Sequence, residues 1–108
     1  MKTLTMSVVG TPNWMAPELL RSERYSEKSD VWSFGIVIYE VVTLSLPYEG
    51  MSPISVMRKV AYEEEKLELE GELVVQYPEL LKVYNSCVQH NPNLRIGFKE
   101  IKKVLQKK

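Results

Sequence analysis

The stretch Ser29-Asp30-Val31-Trp32-Ser33-Phe34-Gly35-Ile36-Val37-Ile38-Tyr39-Glu40-Val41-Val42-Thr43 decides the fold. Apolar side chains fill it with few polar interruptions. A β-branched run of this kind suits a strand, but its length without a turn signal exceeds an ordinary strand and predicts a helix buried on every side. Ser29 or Asp30 is placed to cap it, since short polar side chains satisfy the first free amides of a helix. Gly35 weakens such a helix, and its presence predicts a close backbone neighbour.

Working outward, the chain up to about Met15 reads as an irregular loop, and Pro17 opens a short helical turn through Leu20, where a missing amide hydrogen costs nothing. After the central helix, residues 43–51 hold Pro47 and Gly50 and form a loop. Ser52 followed by Pro53 starts a helix whose Ile54, Met57, Val60 and Ala61 make one apolar stripe. The glutamate-rich stretch around Gly71 either continues that helix or runs as an exposed loop. Tyr77 and Pro78 open a further helix that sets Leu80, Leu81, Tyr84, Cys87 and Val88 on one face and ends near Asn91 and Pro92. A last helix, from about Gly97, points Phe98, Ile101, Val104 and Leu105 inward, with Lys99, Lys102, Lys103 and Lys107 mostly outward. The expected class is all-α, arranged around one unusually apolar helix, and such a layout names no function by itself.

Bulk properties bound the partners. The 108 residues make one ordinary domain, and 44% hydrophobic content supplies a single modest core. Lysine plus arginine and aspartate plus glutamate both number 14, so no net field draws the chain to nucleic acid or to a membrane surface. Cys87 is the single cysteine, which excludes an internal disulfide and fits a reducing, cytoplasmic setting. No signal peptide or membrane span is expected. Charge is nonetheless segregated: Glu63, Glu64, Glu65, Glu68, Glu70 and Glu72 crowd the middle, while Arg95, Lys99, Lys102, Lys103, Lys107 and Lys108 crowd the end. Two solvated faces account for this, and so does a partner-facing patch.

One motif carries more. Gly10-Thr11-Pro12-Asn13-Trp14-Met15-Ala16-Pro17-Glu18 resembles the end of the activation segment of protein kinases, including the Ala-Pro-Glu signature of that family. Asp30-Val31-Trp32-Ser33-Phe34-Gly35 follows at a family-like distance and resembles the start of the long central helix of the kinase lower lobe. Arg95 before the last helix also falls in the family's order. Residues 1–108 are therefore similar to a partial kinase domain, the helical C-terminal lobe, without the N-terminal lobe, the catalytic loop or the magnesium-binding loop. Gly10-Thr11-Pro12 ahead of Trp14-Met15 is more like the tyrosine-kinase-like branch of serine/threonine kinases than like tyrosine kinases.

The resemblance implies roles residue by residue. Glu18 would pair with Arg95 and join the activation segment to the loop before the last helix, a buried scaffold; the alternative is an ordinary surface ion pair. Thr11 would order the site for a small hydroxyl acceptor, and Gly10, Thr11 and Pro12 would line the shelf under the residue that follows it, although a loop hydroxyl such as Thr11 also occurs without any such role. Asp30 would cap the central helix and accept hydrogen bonds from the catalytic loop, or serve as a cap alone. Thr3, Thr5 and Ser7 stand where regulatory phosphorylation often falls in the family. The chain departs from the family at Arg95-Ile96-Gly97, where proline and a serine cap are common, and in the acidic stretch before Tyr77.

The chemistry is bounded by what is not recognisable. Phosphoryl transfer needs a glycine-rich loop and a lysine for the phosphates, carboxylate and amide for magnesium, and an aspartate for the acceptor hydroxyl. Gly10, Gly35, Gly50, Gly71 and Gly97 stand too far apart for a phosphate cradle. His90 is followed by Asn91-Pro92, not by a catalytic arginine and aspartate. Ser33-Phe34-Gly35 only looks like the metal-binding Asp-Phe-Gly triplet, and Cys87 with His90 lacks further ligands for a metal. The complete family domain would use ATP and magnesium; this chain alone is expected to bind neither and to transfer no phosphate. Two functions remain: part of an ATP-dependent serine/threonine kinase acting on protein substrates, or a non-catalytic binding or scaffold module built from a kinase lobe. In either, an uncovered central helix predicts self-association.

Overall fold

The computed structural model describes residues 12–106, which are helical with no strand among them. Helices α1 (Pro17–Leu20), α2 (Glu27–Thr43), α3 (Pro53–Ala61), α4 (Glu72–Gln76), α5 (Pro78–Cys87) and α6 (Phe98–Gln106) follow in order, with 3₁₀ turns at Pro12–Trp14 and Pro92–Leu94. Helix α2 is the axis, and α5 packs along it most extensively.

The start of α2 corrects the expected cap. Ser26, not Ser29 or Asp30, caps the helix: its hydroxyl accepts from the Lys28 amide at 3.1 Å, while its own amide donates to the Ser29 hydroxyl at 3.2 Å. This reciprocal pair satisfies two donors at once, which a lone Asp30 cap could not do. Asp30 lies exposed in the first turn and accepts a hydrogen bond from the Tyr25 hydroxyl. At the other end Leu44 turns left-handed, with φ 56°, and stops the helix.

Burial on every side is also corrected, while the uncovered apolar face expected of the central helix is present. Val31, Trp32 and Ile36 are sealed in the core, but Val37, Val41 and Leu44 form a stripe on the opposite face, Val41 61% and Leu44 89% exposed. Composition marked the helix as apolar; no described element lies over this stripe. On the covered side, the neighbour of Gly35 is the end of α5. A Cβ at position 35 would stand 2.7 Å from the Cys87 Cβ and 2.9 Å from Val88 Cγ1.

Helix α3 starts as expected, the Ser52 hydroxyl accepting from the Ser55 amide ahead of Pro53. Its inward residues are Val56, Val60 and Ala61, whereas Ile54 points to solvent. The glutamate-rich stretch is an irregular strap over residues 64–70: Leu67 and Leu69 turn inward, Lys66, Glu68 and Glu70 outward, and the Leu67 carbonyl accepts from the Tyr84 hydroxyl at 2.5 Å. Helix α5 ends at Cys87, short of the expected Asn91. In α6 Ile101 is buried, while Phe98 is only half-covered and meets Phe34 edge to face at 5.9 Å.

Candidate functional site

Glu18 sits in the first turn of α1, after Pro17, and Arg95 follows the turn Pro92–Leu94. Folding brings them together in a two-pronged ion pair, with one guanidinium nitrogen 2.7 Å from Oε1 and the other 2.8 Å from Oε2 of Glu18, each residue only 3% exposed. The Ser29 hydroxyl donates to the same carboxylate at 2.7 Å. Arg95 spends its remaining hydrogens on the Gln89 carbonyl just past α5 and on the Lys28 carbonyl, both at 2.7 Å, and more loosely on the His90 carbonyl at 3.5 Å. Lys28 Nζ returns a bond to the Arg95 carbonyl at 2.8 Å. The guanidinium also lies 5.3 Å from the centre of the Trp32 ring. Both Glu18 carboxylate oxygens and all three guanidinium nitrogens of Arg95 are thus hydrogen-bonded, the condition under which a buried ion pair stabilises. Burial pushes the Glu18 carboxyl up, but the hydrogen bonds from Arg95 and Ser29 outweigh it and hold the group below its ordinary value.

A second set of bonds fixes the loop before α1. Trp14 Nε1 donates to Glu40 Oε1 at 2.8 Å, the Ser33 hydroxyl donates to the Trp14 carbonyl at 2.7 Å, and Asn13 Nδ2 donates to the Pro47 carbonyl at 2.9 Å. The turn Pro12–Trp14 is therefore pinned to α2 and to the loop after it. Neither Trp14 with Glu40 nor Ser33 was anticipated as a pair of anchors. Glu40 held the usable signal: a lone carboxylate inside an apolar run needs a partner.

Pro12, the last residue of the expected shelf, is half-buried at the head of this pinned turn. Gly10, Thr11, Thr3, Thr5 and Ser7 lie outside the described residues. Asp30 stands in the first turn of α2, apart from the cap. Cys87 is buried and its thiol is pushed up to about 12, by burial that the nearby Arg95 only partly offsets. His90 packs edge-on to Trp32 at 5.1 Å, and burial, ahead of the opposing Glu64 charge, holds its imidazole below the usual range. Among the described residues no group of three or more His, Cys, Asp or Glu side chains is set to hold a metal ion. The arrangement supplies position: a loop held against α2 and the loop after it by part-buried hydrogen bonds, one of them to the Glu40 carboxylate.

Comparison with known proteins gives the same assignment. The family model for protein tyrosine and serine/threonine kinases matches residues 3–105. The chain is 40% identical over 104 residues to a mitogen-activated protein kinase kinase kinase of Drosophila melanogaster, covering 96% of this chain and 9% of that protein. It is 37% identical over 100 residues to the serine/threonine-protein kinase CTR1 of Arabidopsis thaliana, covering 93% of this chain and 12% of that protein. To the serine/threonine/tyrosine-protein kinase HT1 of the same plant it is 38% identical over 99 residues, 92% of this chain and 25% of that protein. The chain thus spans a quarter or less of the length of these curated relatives. With the pinned turn, the buried Glu18 and Arg95 pair and the match over residues 3–105, the chain belongs to the protein tyrosine and serine/threonine kinase family.

Proposed function

We propose that this chain is the substrate-side part of the lower lobe of a protein serine/threonine kinase that uses ATP and magnesium in its complete domain, in the cytoplasm. In this reading Gly10, Thr11 and Pro12 form the shelf beneath the residue after the acceptor, and Thr11 orders the site for a serine or threonine hydroxyl. Asp30 faces the catalytic loop of the complete domain, and Thr3, Thr5 and Ser7 are regulatory phosphorylation sites. The chain alone transfers no phosphate. The observation that carries the reading is the pinning of the turn Pro12–Trp14 through Trp14 to Glu40 and through Ser33, because a shelf selects among peptides only if its backbone is held rigidly.

The test is a chimaera in which residues 3–105 replace the corresponding segment of a homologous serine/threonine kinase domain, assayed with labelled ATP on a mixed peptide library. Label on serine and threonine peptides is expected, with Thr11→Ala lowering kcat/KM by about 10²-fold or more, the scale of losing a positioning group. The 108-residue chain assayed alone is expected to incorporate none. Label confined to tyrosine peptides, or a Thr11→Ala chimaera as active as its parent, overturns the proposal.

A second reading, a non-catalytic docking module, is favoured by the exposed stripe Val37, Val41 and Leu44. A contiguous apolar face of this kind suits association with protein, a second copy included.

A further inference from the structure

Tyr62 closes α3 and stands 66% exposed. Behind it come Glu63, Glu64 and Glu65, all exposed, and the backbone from 64 to 70 is irregular. Two of these glutamates make only loose surface pairs, Glu63 with Arg58 at 3.3 Å and Glu65 with Lys59 at 3.5 Å, which release at little cost. Among the six tyrosines, Tyr25 and Tyr77 are also exposed, but neither is followed by consecutive carboxylates.

Arg21, just past α1, is the independent observation. Its guanidinium reaches across to the end of α3 and donates to the Ala61 carbonyl at 2.6 Å, one residue before Tyr62. Its other nitrogens hold the exposed Glu23 carboxylate at 2.9 and 3.3 Å.

We propose that Tyr62 is a phosphate acceptor for a tyrosine kinase whose peptide groove is basic, and that Arg21 holds the phosphate once it is made. The phenol oxygen attacks the γ-phosphorus of ATP bound to that kinase. An oxygen–phosphorus bond forms at Tyr62 as the bridging bond to the β-phosphate breaks. ADP leaves with the electron pair, and the phenolic proton passes to the modifying kinase's base. A phosphate at the C-terminal end of a helix opposes the helix dipole, so it needs a cation there. Arg21 supplies a planar fork suited to phosphate oxygens, in competition with the solvated Glu23. Because Arg21 follows directly on the helix that bears Glu18, the phosphate ties α1 to α3.

The 108-residue chain, treated with an acidophilic tyrosine kinase, ATP and magnesium, is analysed by tandem mass spectrometry and by ³¹P NMR titration. Phosphate is expected at Tyr62 ahead of Tyr25 and Tyr77, with the second ionisation of the phosphate lower in the native chain than in urea by roughly half a unit or more. Arg21→Gln is expected to erase that difference, and Glu23→Gln, which frees Arg21 without touching the fold, to enlarge it. Labelling of Tyr25 or Tyr77 with Tyr62 left bare overturns the acceptor assignment. Equal native and urea values, or a native value that Glu23→Gln leaves unmoved, overturn the role of Arg21.

Discussion

Glu18 and Arg95, separated by 77 positions in the chain, meet in a buried two-pronged ion pair that ties the segment before α2 to the loop before α6. Removing one partner strands the other charge out of water. Glu18→Ala is expected to cost about 3 to 5 kcal/mol, while the double replacement Glu18→Leu with Arg95→Met recovers most of it. Urea unfolding followed by tryptophan fluorescence measures this, since Trp32 lies against the guanidinium. A single variant within about 1 kcal/mol of the parent would mean the pair behaves as a surface contact.

Acid should weaken the fold in two stages. His90 is held below its ordinary value of 6.5, so the unfolded state binds the proton first, and stability falls as the pH drops from 6.5 toward the lower native value. Glu18 is held below 4.5, so its contribution is complete above that pH and is lost as the pH falls through the depressed native value. Unfolding free energy measured against pH should lose its first slope in His90→Gln and flatten its second in Glu18→Gln. An unchanged first slope in His90→Gln would remove His90 from the account.

Gly35→Ala sets two effects against each other. Alanine favours a helix over glycine by about 1 kcal/mol, yet the added Cβ would lie 2.7 Å from the Cys87 Cβ and 2.9 Å from Val88 Cγ1. Overpacking of this kind costs about 1 to 3 kcal/mol, so the net change is expected to be destabilising. Cys87→Ala keeps the offending carbon and should not rescue the variant, whereas Cys87→Gly beside Gly35→Ala should relieve the closer of the two contacts and leave the one to Val88. Denaturation midpoints of the three variants decide it, and a Gly35→Ala chain more stable than its parent would show that α5 yields freely.

The exposed stripe on α2 should make the chain associate. Sedimentation velocity is expected to show a weight-average mass that rises with concentration, and Val41→Lys, which places a charge mid-stripe at a position already 61% exposed, should return it toward the monomer without loss of helicity. A parent chain that sediments as a sharp monomer across the range contradicts the association.

Much of the scaffold was legible in residue order. The apolar run through Trp32 and Ile36, the Ser52-Pro53 start and the Tyr77-Pro78 start each report local forces, namely periodicity, a capping hydroxyl and a proline that gives up no needed hydrogen bond. Locally, too, several details were lost. Ser26 was passed over as the cap because the capping pair with Ser29 spans a turn that starts before the apolar run. Val56 took the inward place expected of Ile54, although the helix starts where expected, because which apolar residues of a short helix are covered depends on the segments packed against it.

The sequence by itself determined that this chain folds as helices about one apolar axis and, through its resemblance to protein kinases, pointed to Glu18 and Arg95 as partners. Only the tertiary structure decided that Trp14 anchors on Glu40, that Arg95 reaches the Gln89 carbonyl, and that Val37 and Val41 face solvent. The reason is physical. Periodicity and capping act within a turn or two of the backbone, whereas the partner of a buried polar group and the cover over an apolar face are set by whichever distant segment packing brings there.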